Sequence, residues 1–213
     1  MVIAYELLHS LKMKTSGRSG VLALKLDMSK AYDRVEWKFL VAMMRRVGFG
    51  PKLVAVVLEC ISTPVFSIVI NGKVGSVIKP GRGLRQGCPL SPYLFLLCAE
   101  GLSALIRGQE RLGLWRGFSC SLGAPVITHL LFADDSLLFC RADPRCFAAL
   151  RTILDTYEKG SGQLVNLEKS AFCCSRNIPE GETTIISGMI GIPYTREMKY
   201  YLGMPIRAGR QKL

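Results

Sequence analysis

"LLFADDSLLF", residues 130–139, decides how this chain is read. Two adjacent aspartates, Asp134 and Asp135, stand between two apolar runs, in a chain with only 16 acidic residues against 28 basic ones. The stretch 124–142 reads as strand, tight turn, strand. Neighbouring side chains of a straight strand point to opposite faces, but a turn relaxes that rule and presents both carboxylates near its tip. Carboxylates so close repel unless a cation or a shared proton relieves them. A hard dication such as Mg²⁺ prefers oxygen ligands and is the natural relief. Taken alone, the stretch favours an ordinary polar turn, because Asp is common in turns.

A third carboxylate shifts that balance. "VLALKLD" (21–27) alternates Leu22, Leu24 and Leu26 with other residues and reads as a strand that ends on Asp27. If this strand neighbours the aspartate hairpin, Asp27 and Asp134 can share a dication. Two-metal phosphoryl transfer needs such a clamp, with ions roughly 3.5–4 Å apart on the attacking and leaving oxygens. The net charge of +12 points to a polyanionic partner, nucleic acid first and an anionic membrane surface second.

The rest of the chain bounds the answer. Its 213 residues, 49% apolar, are enough for one sizeable core. Eight cysteines form no C-x-x-C pair, and the two histidines lie far apart, so no zinc site is expected. Most of these cysteines sit in apolar runs and read as reduced core thiols of an intracellular protein, nuclear or cytoplasmic and not secreted. The longest apolar run, 93–99, is too short to span a bilayer.

Spacing predicts a helix at the start, with Ile3, Leu7, Leu8 and Leu11 on one face, and further helices over 36–50 and 51–62. Residues 66–78 read as a hairpin turning on Asn71-Gly72. After a loop rich in glycine and proline, Ser91 is the expected N-cap and Pro92 the first residue of a helix so apolar that it should be buried. A helix over 145–162 and short strands at 171–175 and 201–206 complete the reading. The expected fold class is α+β, an antiparallel sheet with helices packed on one face.

"LKLDMSKAYDRVEW" (24–37), "GLRQGCPLSPYLF" (83–95), "HLLFADDSLLF" (129–139), "SGQLVNLEKS" (161–170) and "YLGMPI" (201–206) occur in the order of the palm motifs of reverse transcriptases. The chain resembles the non-LTR (LINE-type) retrotransposon enzymes, especially those of plants, over nearly its whole length. The resemblance implies a polymerase palm and an RNA-directed DNA polymerase that uses an RNA template, a DNA primer and dNTPs with two Mg²⁺ ions, for which Mn²⁺ can substitute, and has no membrane or zinc component. It implies one reverse transcriptase domain over 1–213: a remnant of the fingers leading into the palm at 1–20, the palm at 21–175, and the end of the palm with the start of a thumb at 176–213. A fragment lacking most of the fingers and thumb is the expectation. The alternative function is a truncated, inactive nucleic-acid-binding remnant of such a domain.

Carried over residue by residue, Asp27, Asp134 and Asp135 match the metal ligands. Tyr32 matches the aromatic beneath the sugar of the incoming nucleotide, with a plain core aromatic as the other reading. Gln86, with Gly87, matches the nucleotide and template contact. Arg85 is a phosphate ligand or the partner of a carboxylate. Lys169 matches a lysine near the leaving pyrophosphate, or else is a solvated lysine. Tyr201, Leu202 and Gly203 match the segment that braces the primer end. Asp33 is expected to pair with a nearby base, and Lys30 is a surface lysine or a substrate contact.

Overall fold

The computed structural model describes residues 2–17, 19–121 and 123–206. Its centre is a four-stranded sheet in the order β4-β5-β1-β6, every pairing antiparallel. These strands are β1 (Val21–Leu26), β4 (His129–Phe132), β5 (Asp135–Arg141) and β6 (Ala171–Cys174). Two further hairpins lie outside this sheet. One joins β2 (Phe66–Ile70) to β3 (Lys73–Ile78), the other β7 (Tyr200–Tyr201) to β8 (Met204–Pro205). The helices are α1 (Val2–Met13), α2 (Trp37–Val47), α3 (Pro51–Ser62), α4 (Ser91–Arg111), α5 (Pro144–Ser161) and α6 (Glu180–Ile190). The chain divides into two compact units, one of residues 1–28, 103–156 and 165–213, the other of residues 29–102 and 157–164.

The first unit holds the sheet. β1 is one of its two inner strands, and Val21, Leu22, Ala23, Leu24 and Leu26 are all buried, so both faces of the sheet are covered. The reason lies in "VLALKL": the residues that alternate with the leucines are Val21, Ala23 and Lys25, two of them apolar. On one face Val21, Ala23, Leu137, Phe139 and Cys173 pack against Ala4, Leu7, Leu8 and Leu11 of α1. On the other, His129 of β4 is hydrogen-bonded through Nε2 to Ser103 Oγ of α4 at 2.9 Å. The inward stripe of α1 therefore runs through Ala4 and not Ile3, which is 55% exposed; positions 4, 7, 8 and 11 are the truer helical face.

The second unit holds α2, α3 and the β2–β3 hairpin. Asn71 and Gly72 both take positive φ, 49° and 79°, the signature of a type I′ turn. All eleven residues of this hairpin's strands are exposed, apolar ones included. Gly48, with φ 101°, closes α2 by offering its N–H to the Arg45 carbonyl.

Three expectations are corrected. Ser91 is itself the first residue of α4, not the cap before it. Nor is α4 buried all round: Leu94, Cys98, Leu102 and Ile106 form its inward stripe, while Tyr93 and Leu96 are 68% and 58% exposed. Residues 201–206 make the turn and second strand of the β7–β8 hairpin, because Leu202 and Gly203 both take positive φ, 51° and 72°. The α6 helix went unread, its β-branched and glycine-rich sequence being a weak helix signal. It lies in the segment expected to begin a thumb, whose last residues, 207–213, are outside the described residues.

The β4–β5 turn is tight. Phe132 pairs with Asp135, which leaves Ala133 and Asp134 as the whole loop. Ala133 has φ 49°, a left-handed conformation that costs a non-glycine residue about 1–2 kcal/mol. Glycine relieves this but brings an extra unfolded-state cost of about 0.5–1 kcal/mol. Ala133→Gly is therefore expected to stabilise the protein by about 0.5–1 kcal/mol, read as a higher midpoint in urea denaturation. An unchanged or lower midpoint would mean that the turn carries no strain.

Candidate active site

Asp27 follows the last residue of β1, and the chain of residues 165–170 clasps it there. Its N–H donates to Ser170 Oγ at 3.1 Å, and its carbonyl accepts the N–H of Asn166 at 2.8 Å. Met28 bridges Val165 one step further on. The clasp is itself braced, since Asn166 Oδ1 accepts the N–H groups of Glu168 and Lys169 at 3.2 and 3.3 Å. Ser170 is buried, so its hydroxyl is a fixed partner for the Asp27 backbone. Lys169 belongs to this clasp and is exposed.

β1 and β5 are neighbours, as a shared site requires. Their register runs from Val21↔Arg141 to Leu26↔Ser136, and Asp27 and Asp135 are the next residue of each chain segment beyond that last pair. Residues directly opposed across antiparallel strands share a face. Asp134 is exposed at the tip of the turn, while Asp27 and Asp135 are half-buried. Lys25, two residues before Asp27 and so on the same face, places Nζ 3.5 Å from Asp135 Oδ1. Tyr201 lies in the core cluster with α1, and its phenol is pushed up, first by burial and then by the Asp135 carboxylate. Tyr201 is thus a core residue, and Leu202 and Gly203 form the two-residue turn of the β7–β8 hairpin.

The donors suit a hard cation, being carboxylate oxygens on partly exposed residues at one end of the sheet. Among the described residues, however, no three His, Cys, Asp or Glu side chains are drawn together closely enough to hold a metal ion. The backbone sets Asp27 and Asp135 at adjoining ends of β1 and β5, and Lys25 rather than a neighbouring carboxylate is what meets Asp135.

The second unit gathers the other motif residues. The Tyr32 ring stacks on Phe95 with centroids 4.9 Å apart and planes at 9°. Its carbonyl accepts the N–H of Leu84 at 2.8 Å, which ties the Tyr32 segment to the loop carrying Arg85, Gln86 and Gly87. That loop is pinned again where Trp37 Nε1 donates to the Gly83 carbonyl at 2.7 Å. Gly83 has φ 92°, and an added Cβ would meet the Asp33 carbonyl oxygen at 2.8 Å, so both the turn and the close approach require glycine here. Arg85, Gln86, Asp33 and Cys88 help line a cavity of about 530 Å³. Asp33 is exposed and makes no ion pair among the described residues, contrary to expectation; its backbone, packed against Gly83, is what the fold uses.

Two supporting residues were missed in the sequence. Lys25 was legible, since spacing of two on a strand puts it on the Asp27 face. Ser170 gave no signal, because its partner is 143 residues away.

Comparison with known proteins completes the picture. The family described as "Reverse transcriptase (RNA-dependent DNA polymerase)" matches residues 3–206. An uncharacterized mitochondrial protein of Arabidopsis thaliana is 53% identical over 68 residues, 32% of this chain and 56% of that protein. The transposon TX1 149 kDa protein of Xenopus laevis is 36% identical over 39% of this chain and 6% of its own length. A Pol polyprotein from the type-1 retrotransposable element R2 of Popillia japonica is 28% identical over 76% of this chain and 26% of its own length. The chain thus spans just over half of the first relative and about a quarter or less of the other two. Among solved structures, apo telomerase from Candida tropicalis superposes with a TM-score of 0.58 at 15% identity, over 82% of this chain and 34% of that one. Telomerase from Candida albicans, in complex with a fragment of telomeric RNA, gives 0.57 at 16% identity, over 80% and 29%. The fold is therefore that of a polymerase palm, and with a family match across residues 3–206 the chain belongs to the reverse transcriptases, among relatives that are non-LTR retrotransposon proteins.

Proposed function

We propose that this chain is the polymerising segment of an RNA-directed DNA polymerase, which extends a DNA primer on an RNA template with dNTPs inside the cell. The observation that supports the reading is the β1–β5 register, whose last pair, Leu26↔Ser136, directly precedes Asp27 on one strand and follows Asp135 on the other. In the reaction the primer 3′-hydroxyl attacks the α-phosphate; a new P–O bond forms as the bond to pyrophosphate breaks. Asp27, Asp134 and Asp135 would hold two Mg²⁺ ions, or Mn²⁺ in their place. When bound, these ions supply charge stabilisation for the attacking and leaving oxygens.

The chain's own residues do the rest. Ser170 and Asn166 fix the Asp27 backbone, so its carboxylate is carried on a held segment of chain. Lys169 is assigned the leaving pyrophosphate, where a cation or proton donor lowers the barrier. Tyr32, held flat on Phe95, is assigned the exclusion of a 2′-hydroxyl, and Arg85, Gln86 and Gly87 the contacts to the incoming nucleotide and template. Leu202 and Gly203 are assigned to the primer end. The +12 charge supplies attraction for the phosphate-rich partners.

Three outcomes test this reading. In a chimaeric R2-type polyprotein carrying this segment, Asp27→Asn or Asp134→Asn should abolish primer extension and leave the circular-dichroism spectrum unchanged; near-parental extension by either variant removes that residue from the site. In the same chimaera, Tyr32→Val should admit ribonucleotides, measured as the ratio of rNTP to dNTP incorporation, and an unchanged ratio returns Tyr32 to a packing role. For the 213-residue chain alone, binding to a primer–template duplex should weaken steeply with salt, as each neutralised phosphate releases counterions, with little dependence on sequence. Affinity insensitive to salt would remove phosphate contacts as the basis of binding.

A further inference from the structure

Lys25 is the one charged residue of β1. It is not on an edge: β5 lies on one side, where Leu137 is its register partner, and β6 on the other, where Ala171 is. A lysine in an inner strand loses hydration along its stem, and its ammonium needs a partner at the end of its reach. The partner is Asp135, diagonally across from Lys25 on the same face, with Nζ 3.5 Å from Oδ1 and the two side chains 28% and 25% exposed. The pair stands where β1 runs into Asp27 and β5 begins at Asp135, with Asp134 in the turn just before, in a chain short of acids.

We propose that Lys25 is the standing counter-charge of Asp135, holding that carboxylate in the metal-free protein and yielding it when a dication binds. The inference rests on the reading of Asp27, Asp134 and Asp135 as metal ligands and adds a positioning residue to it. A fixed ammonium beside Asp135 does two opposed things. It offsets the mutual repulsion of the carboxylates before metal arrives, which favours the folded metal-free state. It also competes with, and repels, an incoming cation, which weakens metal binding. Removing the charge should move the two properties in opposite directions, which loss of packing alone would not do.

The test uses Mn²⁺ as the probe on the 213-residue protein, with free Mn²⁺ followed by electron paramagnetic resonance and Tm measured in EDTA. Lys25→Met keeps the apolar stem and removes the charge. It should lower Tm in EDTA and tighten Mn²⁺ binding roughly two- to fivefold, the range expected for a partly exposed ion pair. Lys25→Arg should match the parent in both. If Lys25→Met does not fold, Lys25→Gln carries the same expectations. Mn²⁺ affinity that is unchanged or weaker in the charge-removed variant overturns the proposal. Asp27→Asn separates this from failure of the underlying reading. If the parent binds Mn²⁺, Asp27→Asn weakens it and Lys25→Met does not tighten it, the metal site stands and Lys25 falls. If the parent binds no Mn²⁺, the metal-site reading falls and the Lys25 inference with it.

Discussion

The antiparallel pairing of β1 with β5 is the constraint on which the rest depends. Because side chains alternate along a strand, a slip of one residue in this register would carry Asp27 to the face opposite Asp135. The register is held from both sides. Val21, Ala23, Leu137 and Phe139 must meet α1, and Leu22, Leu24 and Leu138 must stay buried on the opposite face. A slip would also set Val21 and Ala23 where Leu22 and Leu24 now pack, so the close packing of two covered faces holds the register.

The electrostatics follow from that placement. Acidic residues are scarce in this chain, yet Asp27 follows the end of β1 while Asp134 and Asp135 stand at the start of the neighbouring β5. The fold meets the resulting repulsion with position and a single cation. Asp134 is left in solvent at the turn tip, where water screens it, while the half-buried Asp135 is met by Lys25. The backbone of Asp27 is fixed by Ser170 and Asn166, which contribute no charge. Chain segments distant in sequence thus supply the orientation, and the hairpin supplies the carboxylates.

Backbone strain clusters in the same motifs. Four non-glycine residues take positive φ among those described: Lys30, Asn71, Ala133 and Leu202. Asn71 is the ordinary case, an asparagine in a type I′ turn, where its side chain tolerates that conformation. The other three lie in the stretches 24–37, 129–139 and 201–206, which carry the family resemblance. At Ala133 and Leu202 the strain comes from a two-residue hairpin loop, which leaves the chain no other way to reverse direction.

Much of this was legible in the sequence because it is local. The Asn71-Gly72 hairpin, the tight turn at Asp134, β1 and α3 all depend on residues within a dozen positions of one another, and their side-chain pattern or turn chemistry shows in the string. The motifs likewise carried the family, since Asp27, Tyr32, Gln86 and the aspartate pair occur at the spacing and in the order of reverse transcriptases. What the string could not decide was which side of each element would be covered. Ile3 and Ala4 are both apolar, and only packing against the sheet chose Ala4; Tyr93 and Leu96 are as apolar as their neighbours but lie away from the stripe that α4 buries. Tertiary structure alone paired Lys25 with Asp135, set Ser170 beneath Asp27, took Tyr201 into the core and left Asp33 exposed, without an ion pair among the described residues. Sequence specifies turns and periodicities through short-range sterics, whereas the partner of a buried or charged group is fixed only when strands far apart in the chain come into register.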